Sequence, residues 1–438
     1  MGGDWNRRID YDFKARSLTA NGGFLLFVRF LKSLGFDKVV KAHLEVKRSR
    51  RRYSTVELFT CLISMIVLGV ERISHRDCLG EDRAFLQMLR LERFPSASAL
   101  YRFLRAMYVF NIGQMARITT DLLHQVNGAF DGLREVTLDL DSTVLTVYGK
   151  QGGARVGYNP HKPGKRSYHP LLCFIAETGD YLYGKLRKGD AASATGLIPF
   201  FKKCLGRLPQ TVERIRVRAD AGFYSGAFFD LLEARDIGYA VPARVTRRLG
   251  QRLTPVSYAP VAADIEVGEL DYQATSWDKA RRMVVIRKRL TNRPDPQMPL
   301  FTLECYSYQV IATNITDMPP GKVWEFYKGR AVIENRIEEV KNQFNLSKIP
   351  SSDYMANACY FQMVMVAYNL TNWFRRLLLW GELRKAEVAI LRRKVFTIAG
   401  KLVRHGRGVV LSLTRAFPRQ EMFESVLARV GEVSLQIG

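Results

Sequence analysis

The 438-residue sequence predicts an α/β protein in which a mixed sheet is flanked by helices, preceded by a helical region and interrupted by a β-rich block. Three observations carry this. The hydrophobic period switches from helical spacing to two at REVTLDLDSTVLTVYG (134–149). The segments that follow read strand, strand, strand, helix, strand, helix, strand, for which a sheet covered by helices is the economical packing. Hydrophobic content of 47% and aromatic content of 11% suffice for a sizeable core, in a chain long enough for two or three domains.

The opening 130 or so residues read as helical. NGGFLLFVRFLKSLGF (21–36) and TVELFTCLISMIVLGV (55–70) carry long apolar stripes. Between them VKRSRRRY (46–53) packs five basic residues, Lys47, Arg48, Arg50, Arg51 and Arg52, into six positions, a composition suited to phosphate contact. FPSASALYRFLRAM (94–107) has a helix start at Pro95 and Ser96, then sets Tyr101, Arg102 and Arg105 along its sides. In 134–149, Val136, Leu138 and Leu140 point one way; Thr137, Asp139, Asp141 and Thr143 point the other. A Gly-, Pro- and base-rich loop (152–170) leads to the strands LLCFIAE (171–177) and DYLYGKLR (180–187). A helix is expected from about residue 192 to 205, a strand at ERIRVRAD (213–220), a helix at 225–236 and a strand at IGYAVPA (237–243). MVVIRKRL (283–290) and YSYQVIATNI (306–315) suggest antiparallel strands; helical pattern resumes at 321–344 and again at 358–380.

Charge narrows the partner. Sixty-seven Lys and Arg against 42 Asp and Glu leave +25, which calls for a polyanion. The longest apolar run, FTCLISMIVLGV (59–70), is too short to span a bilayer, and MGGDWNRRID has no signal-peptide core, so nucleic acid is preferred over membrane. The cysteines, Cys61, Cys78, Cys173, Cys204, Cys305 and Cys359, are scattered without a CxxC pair, which suits reduced core residues of a cytoplasmic protein and no zinc site.

Chemistry is concentrated in three acidic residues. Asp141 ends the first strand, Asp220 ends the fourth, and Glu334 lies in YKGRAVIENRIEEVK (327–341). At about 100° per residue, Tyr327, Arg330, Glu334 and Lys341 share one stripe of that helix. Strand ends are where such sheets bind substrate. Converging carboxylates need a cation, and oxygen ligands suit Mg²⁺ or Mn²⁺. Taken singly, a strand-end Asp is a turn residue, and the stripe is a solvated face with a Glu–Lys pair.

LDLDST around Asp141, VRADAGF around Asp220, and the spacing Y-x2-R-x3-E-x6-K from Tyr327 to Lys341 together resemble the DDE transposases of bacterial insertion sequences with the YREK signature, built on a ribonuclease H-like core. YNPHKPGKRSYHPLL (158–172) and MVAYNL (365–370) are similar to the insertion-sequence group numbered 1380. The resemblance implies a helical DNA-binding region (1–130), a ribonuclease H-like core in two parts (131–243 and 319–382) around a β-rich insertion (244–318), and a C-terminal region (383–438). It implies cut-and-paste transposition: binding of terminal inverted repeats, metal-dependent cleavage and strand transfer. Asp141, Asp220 and Glu334 would be the catalytic, metal-binding triad, with two Mg²⁺ ions, or Mn²⁺ in their place. Tyr327, Arg330 and Lys341 would contact DNA, as would the basic run 47–52. The partners would be double-stranded DNA, at element ends and target, and a second copy on DNA, in the bacterial cytoplasm at the nucleoid. Trp277 or Trp324 would be available to stack on an unpaired base. Strand geometry alone leaves Asp139 beside Asp141, and Glu338 beside Glu334; the family's Ser or Thr after the Asp selects Asp141, and the signature spacing selects Glu334. The rival functions are a domesticated, non-catalytic DNA-binding protein and another ribonuclease H-like nuclease.

Overall fold

The computed structural model describes residues 11–12, 14, 17–49, 52–290, 301–303, 306–406 and 408–437. Arg50, Arg51 and Cys305 lie outside the described residues. The opening contains α1 (Phe24–Ser33), α2 (Thr55–Val67), α3 (Ala97–Arg105) and α4 (Val109–Val126), with shorter helices between them. A two-residue strand precedes them: Leu18–Thr19 pairs antiparallel with Lys401 and Gly400. Helix starts follow local chemistry. Ser54 and Glu57 close a capping box on α2, and the Ser96 hydroxyl accepts from the Ala99 N–H at 3.2 Å to open α3.

The sheet begins with β1 (Glu135–Ser142), β2 (Leu171–Ile175) and β3 (Tyr181–Lys185), then α5 (Leu197–Leu205), β4 (Arg214–Ala219), α6 (Gly226–Glu233) and β5 (Gly238–Pro242). The order of segments is the expected one; α5 starts later than the sequence suggests. β1 is parallel to β4, and β4 to β5, while β2 runs antiparallel beside β1 and β3 antiparallel beside β2. Parallel neighbours need a crossover, which α5 and α6 supply. β1 has β4 on one side and β2 on the other, and its residues from Val136 to Asp141 are all buried. This is the mixed sheet with helices on its crossovers that the order of segments predicts.

The β-rich block does not form a sheet of its own. Its strands are β6 (Ala259–Ala262), β7 (Ile265–Tyr272), β8 (Arg281–Arg289) and β9 (Tyr306–Thr313), with a three-residue strand, Phe301–Leu303, paired antiparallel with β9. β9 pairs antiparallel with β5, Ile311 opposite Pro242, so the order runs β6-β7-β8-β9-β5-β4-β1-β2-β3. The chain continues through α7 (Pro320–Lys328), α8 (Ala331–Asn342) and α9 (Tyr354–Leu378).

α9 is the axis of the molecule. It packs on α2, α3, α4 and β3, and one hydrophobic cluster extends from Phe24 to Val433, so the opening helices and the sheet share a core. Its polar residues protect the last strand of the sheet. Asn369 accepts from the Tyr181 N–H and donates to the Tyr181 carbonyl, both at 2.7 Å, and Gln362 donates to the Gly184 carbonyl at 2.9 Å. Tyr368 donates to the Gly179 carbonyl at 2.9 Å. The MVAYNL motif is therefore structural: buried amides on α9 are affordable only because the strand backbone satisfies them. Among the described residues no helix is long and apolar enough to cross a membrane. Cys61, Cys173, Cys204 and Cys359 are buried and Cys78 is exposed.

Candidate active site

The register of two parallel strands brings the aspartates together. Asp139 lies opposite Arg218 and Leu140 opposite Ala219, which makes Asp141 and Asp220 the next residue on each strand. Both therefore emerge at the same C-terminal edge. Each is held by the turn that follows it. The Asp141 Oδ1 accepts from the Ser142 N–H at 2.7 Å, and the Asp220 Oδ1 from the Gly222 N–H at 2.7 Å. Asp139 is occupied elsewhere: it is 1% exposed and takes a two-pronged ion pair from Arg218 at 2.7 and 2.9 Å.

The late helix is not continuous. The sequence suggests one helix over 321–344, but it breaks into α7 and α8 at Gly329 and Arg330. The cause is Arg218. Its Nη1 donates to the Phe326 carbonyl at 2.8 Å, the acceptor that the Arg330 N–H would use in an unbroken helix. The Arg330 N–H turns instead to the Tyr327 carbonyl at 2.9 Å, a tighter, 3₁₀-type bond. A side chain at position 329 would run into the Arg218 guanidinium, which Asp139 holds in place, so only glycine fits. The stripe inferred from one helical period is thus assembled across a break, and the break lies directly beside Arg330.

Arg218→Met leaves Asp139 buried without a partner and is expected to cost about 3–5 kcal/mol of stability. The double variant Asp139→Leu, Arg218→Met should recover most of that loss. Urea unfolding of the three chains checks this; a double variant as unstable as the single one would mean the pair is not the source.

Arg330 closes the cluster. Its Nη2 lies 3.3 Å from Asp141 Oδ1 and its Nη1 2.9 Å from Glu334 Oε1. The Arg330 and Asp141 side chains are nearly enclosed, whereas that of Glu334 is 61% exposed. The Arg330 Nε is buried and has no hydrogen-bond partner among the described residues. Burial pushes the Asp141 carboxyl up to about 7; Arg330 opposes this, while Asp220 and Glu334 add to it. Burial alone would lower the Arg330 pKa, but Asp141, Tyr327, Asp220 and Glu334 together raise it. Tyr327 is likewise raised, first by burial; Arg330 opposes this, while Asp220 and Glu334 add to it. Lys341 donates to the Thr143 hydroxyl at 3.3 Å, and burial lowers its pKa against the pull of Glu338 and Asp141. Glu338, exposed, accepts only a long bond from Asn342 at 3.5 Å among the described contacts.

The raised Asp141 pKa has a stability consequence. A folded-state pKa above the ordinary 3.8 contributes stability that is fully present below about pH 4 and lost as pH rises through about 7. Asp141→Asn should therefore gain in melting temperature relative to the parent chain as pH goes from 4 to 7, in metal-free buffer. A difference independent of pH would show that Asp141 is not strained by ionisation.

Among the described residues, no group of three or more His, Cys, Asp or Glu side chains is gathered closely enough to hold a metal ion as it stands. The donor chemistry nevertheless fits a hard divalent cation. The three acids offer only oxygen, two of them drive up the pKa of the third, and one guanidinium balances them.

The family model described as transposase DDE domain group 1 matches residues 2–435. The chain belongs to that family. No curated protein matches this transposase chain significantly. Among solved structures it is similar to a piggyBac transposase synaptic complex with hairpin DNA, at 11% identity and TM-score 0.44, over 86% of this chain and 80% of that one. It is also similar to the Mos1 strand transfer complex, at 16% identity and TM-score 0.17, over 45% of this chain and 60% of that one.

Other residues of the transposase divide into those near the acids and those apart. Arg218 escaped the sequence reading, although strand alternation put it on the face opposite Ile215 and Val217, where a partner for Asp139 could have been sought. His169, 5% exposed, hydrogen-bonds the Ala191 carbonyl through Nδ1 at 2.7 Å; burial lowers its pKa and Asp220 opposes that. The Ser142 and Ser193 hydroxyls bond each other at 3.0 Å beside it. The basic run lies elsewhere. Lys47, Arg48 and Arg52 line a groove of about 940 Å³ with Arg93, Arg102 and Arg105. Arg48 is partly engaged there, over the Phe103 ring and toward Thr55. Trp277 is 6% exposed in a cluster with Tyr224, Phe229 and Tyr272, so it is a core residue and does not face solvent for stacking. Trp324 carries the Lys328 ammonium on its face at 3.7 Å.

Proposed function

We propose that this transposase binds the terminal inverted repeats of its own element, cleaves there in a metal-dependent step and joins the freed ends to target DNA, with Asp141, Asp220 and Glu334 as its catalytic carboxylates. The observation that carries the reading is the β1–β4 register, which brings Asp141 and Asp220 out at one sheet edge, with Glu334 of α8 linked to Asp141 through Arg330. That Arg218 consumes Asp139 supports the choice of Asp141. The three acids would hold Mg²⁺ or Mn²⁺, two ions per site; when bound, the ions activate a water or 3′ hydroxyl and stabilise the leaving oxygen.

The chain's own groups prepare that step. Burial keeps Asp141 short of water, so its charge is not screened. Arg330 offers a fork that suits a phosphate as well as a carboxylate, and its Nε, without a hydrogen-bond partner among the described residues, adds a donor. Tyr327 supplies a hydroxyl near Asp220, and Lys341, steadied by Thr143, a second cation. The groove lined by Lys47, Arg48 and Arg52 would take duplex backbone away from the acids, a contact that positions DNA without reading it. Joining two ends calls for a second copy on the DNA, and the cytoplasm at the nucleoid is where such a chain would meet its substrate.

The experiment is incubation of purified protein with end-labelled DNA spanning one element boundary, and with a paired-end substrate, with and without Mg²⁺. Nicking at the boundary only with metal is the expected result. Binding without cutting on both substrates, in Mg²⁺ and in Mn²⁺, would leave a non-catalytic DNA-binding protein.

A further inference from the structure

Beside the acids, a cleft of about 880 Å³ runs from Lys341 along the chain that follows β1. Its size is in the range of small-ligand sites, about 300–1,000 Å³. Its chemistry is one-sided. Arg72, Lys162, Lys341 and Lys348 line it, and the only lining acid among the described residues, Glu71, lies 3.8 Å from the Lys348 ammonium. One wall carries Tyr148, which is 75% exposed although large apolar rings are normally covered. The Lys162 ammonium lies 4.9 Å from the Tyr148 ring centroid, at the hydroxyl end, where it hydrogen-bonds the hydroxyl and leaves the ring face open.

The wall is built, not loose. Short strands at Leu145–Thr146, Arg155–Val156 and Arg166–Tyr168 form a small sheet under it. Asn159, 5% exposed, donates to the Thr146 hydroxyl at 3.0 Å and accepts from the Lys162 N–H at 3.0 Å, which fixes Lys162 opposite Tyr148. An uncovered ring flanked by cations suits a base stacked beside its own phosphate, the pattern that binds unpaired strands without sequence preference. A duplex would not expose a base face to Tyr148.

We propose that this cleft is a binding site for an unpaired stretch of DNA strand leading away from Asp141, stacked on Tyr148 and held at its phosphates by Lys162, Lys341 and Arg72. The site rests on the function proposed above. It adds a single-strand subsite to a duplex-binding enzyme and assigns the loop after β1 to it.

The test uses the full chain without divalent metal, so that no strand is cut. Two probes of one sequence are compared: a blunt duplex and the same duplex with a single-stranded tail carrying 2-aminopurine. The tailed probe should bind about 10-fold more tightly, with its fluorescence quenched. Tyr148→Ala should abolish both the preference and the quenching; Tyr148→Phe, which keeps the ring, should retain both. The Ala variant lies at an exposed position, so its blunt-duplex affinity should stay at the parent value. Equal binding of the two probes by the parent, or an undiminished preference in Tyr148→Ala, overturns the site while leaving the proposed function intact. Failure to bind either probe overturns both.

Discussion

Asp220→Asn is expected to lower boundary cleavage by roughly 10³-fold or more while leaving DNA affinity within about threefold of the parent. Asn keeps the shape of Asp, and its amide oxygen can still accept from the Gly222 N–H, so the turn Ala221–Phe223 should survive. What is lost is one negative charge among three. Metal assistance supplies several kcal/mol of transition-state stabilisation, and about 4 kcal/mol corresponds to ~10³ in rate. Duplex affinity should hold because the basic groove of Lys47, Arg48 and Arg52 does not include Asp220. Gel-shift and nicking assays on one DNA separate the two quantities. Full cleavage by the variant would remove Asp220 from the catalytic set; loss of binding together with cleavage would make it a structural residue.

Arg330→Ala should show two separable effects. Without metal at pH 8, three acids lose their shared counter-charge. Removing one partner of a buried pair typically costs about 3–5 kcal/mol. Here the loss should be smaller, about 2 kcal/mol, because Glu334 is largely in water and Asp141 can take up a proton near pH 7. The deficit should shrink at pH 6, and Mg²⁺ should restore much of it at pH 8 by replacing the missing charge. In cleavage, the same variant should fall by about 10²-fold, since a phosphate fork is lost as well. Melting curves at both pH values, with and without Mg²⁺, check the first effect. A variant as stable as the parent at pH 8 without metal would show that Arg330 does not neutralise the acids.

The candidate site was legible in unequal parts. The change of period at 134–149 located β1, and the strand read at 213–220 located β4, because alternation of buried and polar residues is a local signal. The family motifs then named Asp141, Asp220 and Glu334 among several acids. The break between α7 and α8 had no such signal. A period computed along 321–344 assumes an unbroken helix, whereas Arg218, more than 100 positions earlier, takes the Phe326 carbonyl. The expectation that Trp277 could stack on a base fails for a related reason. Trp277 is aromatic and near a basic segment, yet composition does not report burial.

The sequence alone determined the element order, the basic character and the acids available for chemistry, since each is encoded in neighbouring residues. Only the tertiary structure shows what each aspartate of β1 is paired with. Asp139 and Asp141 share one strand face, but they meet different partners: Arg218, across the ladder, takes both oxygens of Asp139, whereas Asp141, one step beyond the Leu140–Ala219 pair, meets Arg330 from the later helices. A buried carboxylate keeps its charge only with a partner of fixed geometry, and that partner comes from a distant part of the chain.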